Sequence, residues 1–561
     1  VTRSMMTTYL GVIAFIVAYF VTNGAVRERP ELERTLALFV PFGVRAFGTV
    51  SRYWTAAERN TLLPDFSGPL LYNRLIWIGI SILFLGLAYL GYRFADKGAS
   101  RKKSKKERLA QKAAEPDTVV MAAPLPPARF GSAAARAQLW TRTAFAMKQV
   151  LKSPAFIVLI AIGLANAIPA LWMGGEMFGT PTLPVTRAHI PILIGAFSIF
   201  PLIIAIYYAG ELVWRERDRK MHEIIDAAPL PNWAYVVPKT AGVALVLLTT
   251  LLISVAGSIL VQLLKGYSNL ELGKYLLWYV LPVGFDMILM AILAVFVQAL
   301  SPNKYVGWGV MVVYLVLTII ASNIGLEHNL YIYGAAPQVA YSDMNGAGDF
   351  WKGAWWFRLY WGAVALILLV AAHLLWRRGT ETRFKPRLAR APSRLRGTPG
   401  ILAGAALGVA LLTGGWIFYN TNILNEYRTS DQNEEFMANY EKKYLKYEDL
   451  PQPSISAVML DVALYPDEKK AVTKGRYTLT NLTDQPVRDV HIRKTVQELE
   501  ITNLTFPGAR LVSENKEFGY RIYRLDRPMA PRETREVSFE TVRDQNGFRN
   551  SGDDTKIVGN G

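Results

Sequence analysis

Residues able to do chemistry are sparse in this chain, and their spacing excludes more than it offers. A zinc hydrolase of the helical type needs two histidines one turn apart, with a glutamate beside them as base. The nearest match is His222-Glu223, but position 226 is Asp226, so H-E-x-x-H is not formed. His189, His328, His373 and His491 are too scattered to complete a local metal site, and His373, near the end of an apolar run, reads as structural. No G-x-x-x-x-G-K-[ST] run occurs, so any nucleotide hydrolysis must come from another chain. The chain has no cysteine, which excludes disulfides and thiolate ligands and leaves the redox compartment unreadable. No catalytic residue, metal or cofactor is assigned within it.

Two other features carry more. Asp286 lies inside the apolar run LPVGFDMILMAIL, where an ionised carboxylate is costly unless it is paired or faces a wet cavity. It is the candidate transport-pathway residue; the alternative is a packing residue hydrogen-bonded to Asn166 or a tyrosine. The second feature is residues 211–231, ELVWRERDRKMHEIIDAAPLP, a charged helix-forming piece between two long apolar segments. At helical spacing Met221, Ile224, Ile225 and Ala228 share one face, Arg215, Glu216, Arg219, Lys220, Glu223 and Asp226 cover the rest, and Pro229 and Pro231 end it. Such a piece is either a solvated connection or a helix that docks on a soluble partner. For docking, the expected contacts are Trp214, Arg215, Glu216, Arg217, Glu223 and Asp226.

The elements that position these residues are read from hydropathy. Over 561 residues the chain is 52% hydrophobic with 14 Trp. Its apolar mass is cut into runs long enough to cross about 30 Å of hydrocarbon. These lie at 5–21, 75–92, 155–172, 190–209, 241–264, 275–300, 305–324, 355–376 and 401–419, nine expected spans. The net charge of +18 does not point to nucleic acid, because the cations cluster beside spans at 93–112 and 377–396. The positive-inside rule places both stretches, and with them 211–231, in the cytoplasm, and 174–189, 265–274, 325–354 and everything after 419 outside. The loop 23–73 should then be external although it carries six arginines; its length makes charge a weak guide.

An internal repeat organises the spans. Arg74-Leu75-Ile76-Trp77 and Arg358-Leu359-Tyr360-Trp361 each open a span after an aromatic-rich loop, and at the same offset Ala88 matches Ala372, Leu90 matches Leu374 and Arg93 matches Arg377. Residues 1–93 read as the last two spans of a first bundle, 94–135 as a basic, Ala/Pro-rich linker, and 136–376 as a complete second half opened by an interfacial helix. Residues 377–420 add a basic loop and the ninth span, and 421–453 a helical stalk with Phe436, Tyr440, Tyr444 and Tyr447 on one stripe. From 454 to 561 the hydrophobic period drops to two with turn residues between runs, the pattern of an antiparallel all-β domain. Asn481-Leu482-Thr483 and Asn503-Leu504-Thr505 match a glycosylation sequon but read better as turn residues. The chain opens at a valine beside a span and stops at Gly559-Asn560-Gly561, so it reads as a piece cut at both ends from something longer.

Glu216-Arg217, Glu223 and Pro229-Leu230, within a six-span bundle, resemble the cytoplasmic coupling helix of type-2 ATP-binding-cassette (ABC) permeases, and Ser301-Pro302-Asn303-Lys304 resembles a cytoplasmic turn of that group. The β-region, through 456–464, Gly475-Arg476-Tyr477-Thr478-Leu479-Thr480-Asn481, Pro486-Val487-Arg488-Asp489-Val490, 520–525 and Pro531, looks like the N-terminal β-domain of aminopeptidase N-like gluzincins. Neither the zinc motif of that family nor its G-x-M-E-N substrate motif is present. Together the resemblances imply a multi-pass permease of the bacterial inner membrane, driven by ATP on a separate cytoplasmic ABC ATPase, with an extracytoplasmic aminopeptidase-like region. They also imply pairing of bundles within one chain or between two copies, and zinc only if sequence beyond this chain supplies H-E-x-x-H. Two other readings stay open: a membrane-tethered zinc aminopeptidase whose spans anchor or transmit, and a non-transporting envelope scaffold.

Overall fold

The computed structural model describes residues 33–91, 131–174, 176–177, 180–227, 231–344, 346, 350–379, 383–496 and 498–552, with isolated positions 11 and 557. The expected first span at 5–21, most of the linker (92–130), and Ala228, Pro229 and Leu230 lie outside the described residues. The chain divides into two compact units, residues 1–141 with 149–170, and 142–148 with 171–561.

In the first unit, short helices α1 (Glu33–Phe39), α2 (Val44–Val50) and α3 (Ala56–Thr61) precede the long apolar α4 (Gly68–Gly91). Asn73 joins them: its fully buried Nδ2 donates to the carbonyls of Ala37, Leu38 and Val40, each at 2.9 Å. Ala37 and Leu38 lie in the last turn of α1, whose carbonyls have no partner inside their own helix, and Val40 follows directly after it. Helix α5 (Ser132–Leu151) begins earlier than the expected interfacial helix at 136 and is followed by α6 (Pro154–Met173). Most of α6, expected to open the second bundle, belongs to the first unit.

The second unit holds the remaining apolar helices. After a two-strand hairpin, β1 (Glu176–Met177) and β2 (Thr180–Pro181), the expected span at 190–209 is a bent pair, α7 (Thr186–Phe197) and α8 (Ile199–Asp218), meeting at 44°. A short α9 (His222–Ala227) leads to α10 (Trp233–Leu264), α11 (Leu272–Leu300, with a π-helical turn Tyr275–Val280), α12 (Lys304–Ala321) and α13 (Phe350–Leu374). An unexpected helix, α14 (Phe384–Arg394), sits in the basic loop before α15 (Thr398–Leu424). Among the described residues seven helices are long and apolar enough to cross a membrane, eight with the bent pair as one. The bundle core joins Ile206 and Ala209 of α8, Tyr235 and Val236 of α10, Ala294, Val295 and Ala299 of α11, Met311 of α12 and Ala372 of α13. The alanines among them, Ala209, Ala294, Ala299 and Ala372, let the helix backbones approach.

The polar end of the chain begins with α16 (Ser430–Tyr444), whose N-terminus is closed by a capping box between Thr429 and Gln432. Its aromatic stripe packs on the β-region, Tyr444 stacking on Tyr520 at 4.0 Å and Phe436 lying 4.8 Å from Phe518. All strands are antiparallel. One sheet has the order β3 (Ser454–Tyr465), β4 (Lys470–Thr480), β9 (Thr534–Asp544), β6 (Leu499–Thr505); the other has β5 (Val487–Arg493), β8 (Tyr520–Met529), β7 (Ala509–Asn515). Leu479, Val487, Val490, Tyr523, Leu525, Met529 and Val537 fill the space between the sheets. A Cβ at Gly475 would collide with the Phe539 ring, which is why β4 carries glycine there. Edge strand β3 is exposed along all twelve residues, on both faces.

Candidate functional site

The charged stretch at 211–231 is two helices instead of one. Lys220 takes a left-handed conformation (φ 58°), Met221 N donates to Glu216 O at 2.9 Å and Lys220 N to Arg217 O at 3.0 Å, a Schellman closure that ends α8 inside the charged run. Chain direction changes there, so the side chains divide into an inward and an outward set. Trp214 is buried and its Nε1 donates to Gln298 Oε1 at 2.9 Å. Glu216 accepts from the buried Lys239 at 2.5 Å and from Arg215 at 3.0 Å, while Arg215 also covers the Phe145 ring. Asp226 accepts from the backbone of Gly379 at 2.8 Å and stands 3.9 Å from Arg217, whose own guanidinium donates to the carbonyls of Arg377 and Gly379. Arg378 completes this clasp by donating to Asp226 O.

Of the six expected contacts, Trp214, Glu216, Arg217 and Asp226 therefore face the bundle, with Arg215 beside them, and Glu223 alone is openly exposed. Met221 and Ile224 are outward as well, Ile224 at 75% exposure, whereas Ile225 packs into the bundle core. The outward surface is a small apolar knob, Met221 and Ile224, flanked by Asp218, Arg219, Lys220 and Glu223. Lys304, in the turn that follows Ser301-Pro302-Asn303, is tied to Glu211 and Asp218 at 2.9 Å each, so turn and knob share one end of the bundle. Arg387 and Arg394 of α14 close that end, donating to the carbonyls of Ala299, Leu375 and Leu374.

Asp286 is partnered neither by Asn166 nor by a tyrosine. Its two oxygens accept a bidentate pair from Arg358 Nε and Nη2, both at 2.9 Å, and the guanidinium lies over Trp355. Arg358 is the arginine that opens the repeated R-L-x-W element, so the repeat carries the counter-charge of the intramembrane acid. Above α11's π-turn a second polar cluster is buried: His189 Nδ1 meets Ser258 Oγ at 2.9 Å, Ser258 meets Tyr275 Oη at 2.7 Å, Tyr275 donates to Gln262 Oε1, and Ser254 meets Tyr279 Oη. A π-turn displaces the register by one residue and aims both tyrosines at the same face of α10.

At the opposite end the β-region is fastened to the bundle by the segment after β9. Asn550 accepts three hydrogen bonds from Asn329, two at its side-chain oxygen and one at its carbonyl, Phe548 packs against Phe357 and Gly353 of α13, and Arg549 pairs with Glu498 and donates to Asn425. Glu327 accepts from Ser430 at the start of α16, and buried His328 meets Thr421 of α15, its ring held below the ordinary imidazole range by burial. Within the sandwich, His491 Nδ1 meets Tyr520 Oη at 2.7 Å; burial lowers the imidazole and raises the phenol to about 12. Asn481, of the first sequon, is fully buried in a turn, donating to Gln485 and Met529 carbonyls.

In the sequence Arg358 stands out only as the opening of the repeat, and neither its pairing with Asp286, the clasp at 377–379 nor the Asn329–Asn550 bridge is visible there. Two signals were available: the repeated arginine beside a lone intramembrane acid, and Ser254, Ser258 and Gln262 at i, i+4 and i+8 on one stripe of α10. The bridge had none, since its two asparagines stand 221 positions apart. No family model matches this chain, and no curated protein matches it.

Proposed function

We propose that the chain is the permease subunit of an ABC transporter, taking up work from a separate cytoplasmic ATPase at the knob formed by Met221, Glu223 and Ile224. The observation that carries this reading is the double attachment of α13. Just beyond its C-terminal end, Arg378 and Gly379 hold α9 through Asp226; near its N-terminal end, Gly353 and Phe357 hold the Phe548 segment of the sandwich. A push on α9 is thereby passed along one rigid helix to the sandwich, with the Asp286–Arg358 pair on its way. The net positive basic end, with Arg377, Arg378, Arg387 and Arg394, supports a cytoplasmic assignment by the positive-inside rule, and the sandwich is then extracytoplasmic. In this reading the membrane is the bacterial inner membrane, the aminopeptidase-like region is where ATP-driven motion is put to use, and Asp286 is the pathway candidate.

The test is affinity capture of the chain from its own membranes, with mass spectrometry of what accompanies it, beside the variant Glu223→Lys/Ile224→Asp. Recovery of an ABC ATPase that is lost from the variant supports the assignment. Absence of any ATPase from both samples overturns it in favour of a tethered peptidase or scaffold.

A further inference from the structure

Helix α14 (Phe384–Arg394) lies between the C-terminal end of α13 and the N-terminal end of α15. Those two apolar helices pack on each other, with Trp356 6.2 Å from Trp416 and Gly414 against the Tyr360 ring, so α14 sits at the level where both leave the hydrocarbon. Its sides differ. Toward the bundle, Arg387 and Arg394 are engaged by the carbonyls of Ala299, Leu375 and Leu374 and hold the helix in place. About a quarter of a turn away, Phe384, Leu388, Ala391 and Leu395, at i, i+4, i+7 and i+11, form one apolar stripe that is left open. Phe384 is 43%, Leu388 51% and Leu395 38% exposed. On the flank of the stripe opposite the two arginines, Lys385 and Arg396 are exposed, and their side chains make no ion pair or hydrogen bond among the described residues. Arg390 is equally exposed and unpaired there, but at 3.6 residues per turn it stands about 140° from the middle of the stripe. An apolar stripe flanked by cations, placed where two spans end, is the pattern of a helix lying in the membrane interface.

We propose that α14 is a docking surface for anionic phospholipid. Phe384, Leu388 and Leu395 enter the upper acyl chains, and Lys385 and Arg396 hold the headgroups beside them. Charge complementarity names the occupant: each cation near the surface favours a headgroup of net negative charge over a zwitterionic one by about fivefold. The same helix grips the ends of α11 and α13 through Arg387 and Arg394, so a bound anionic lipid braces that end of the bundle from outside. The surface needs only the spans, and it stands or falls independently of the ATPase assignment.

Because the chain has no cysteine, Leu388→Cys takes a single thiol-directed label, here the polarity-sensitive fluorophore NBD. The full labelled chain is reconstituted into vesicles of phosphatidylglycerol and phosphatidylcholine in equal parts, in which one lipid or the other carries a doxyl quencher on its acyl chain. The expected result is blue-shifted emission quenched by both lipids, with phosphatidylglycerol acting as though enriched about fivefold or more at the label. In Lys385→Glu/Arg396→Glu the enrichment should vanish, and in the milder Lys385→Gln/Arg396→Gln it should fall part of the way. Arg390→Glu reverses a charge on the side away from the bilayer and should keep it. Water-like emission unquenched by either lipid overturns the proposal and leaves the face to a protein partner. Equal quenching by the two lipids without the charge substitutions overturns it too. So does enrichment that survives both double variants, or that falls as far in Arg390→Glu, which would assign it to the net charge of the basic end.

Discussion

Replacing Asp286 by alanine leaves the Arg358 guanidinium buried with no counter-charge. Removing one member of such a pair costs far more than the pair contributes, about 3 kcal/mol or more. Asp286→Ala should therefore yield little folded protein on detergent extraction, and the double variant Asp286→Ala/Arg358→Met should recover most of it; a double variant as poor as the single one would contradict the pairing. His491 offers a second residue-scale test. Burial lowers its folded pKa below the unfolded value near 6.5, so the unfolded chain takes up the proton first. Sandwich stability is thus fully present above pH 6.5 and declines as pH falls toward the folded value. Hydrogen exchange of β5 and β8, corrected for intrinsic rates, should show opening that grows from pH 7.5 to 5.5 in the native chain and much less in His491→Gln.

At the scale of elements, the division of the charged stretch into α8 and α9 separates two substitutions that look alike in sequence. Glu216→Lys places a cation against the buried Lys239 and should destabilise the bundle end, read as loss of monodisperse protein. Glu223→Lys alters an exposed side chain and should leave the fold intact while weakening partner capture. Equal folding of the two would refute the inward assignment of Glu216. Span positions were legible because an apolar run of about twenty residues has few alternatives in sequence. The stalk stripe and strands β3, β4, β5 and β8 were legible for the related reason that their apolar residues recur at a regular period. Strand β7 was not, since Ala509–Asn515 has only Leu511 and Val512 as large apolar residues, and α14 was hidden in a run of arginines. The Schellman break at Lys220 was illegible because no glycine or proline marks it.

For the whole molecule, the segment after β9 decides whether sandwich and bundle move together. Asn550→Ala with Phe548→Ala removes the two hydrogen bonds that the Asn550 side chain accepts from Asn329 and the packing on Phe357. Limited proteolysis in the stalk at 445–453 should accelerate severalfold in this variant while the apolar helices stay protected; unchanged cleavage would show that α16 and Glu327 suffice to hold the sandwich. The exposed strand β3 carries a further consequence. Val458, Leu460, Val462 and Leu464 line one side and Met459 and Tyr465 the other, with Asp461 as the single charge along its twelve residues. Such an edge is a template for adding strands from another chain. On storage at high concentration the protein should polymerise slowly into β-rich aggregates nucleated here, and a lysine at Val462 should lengthen its shelf life without touching either the bundle or the interior of the sandwich.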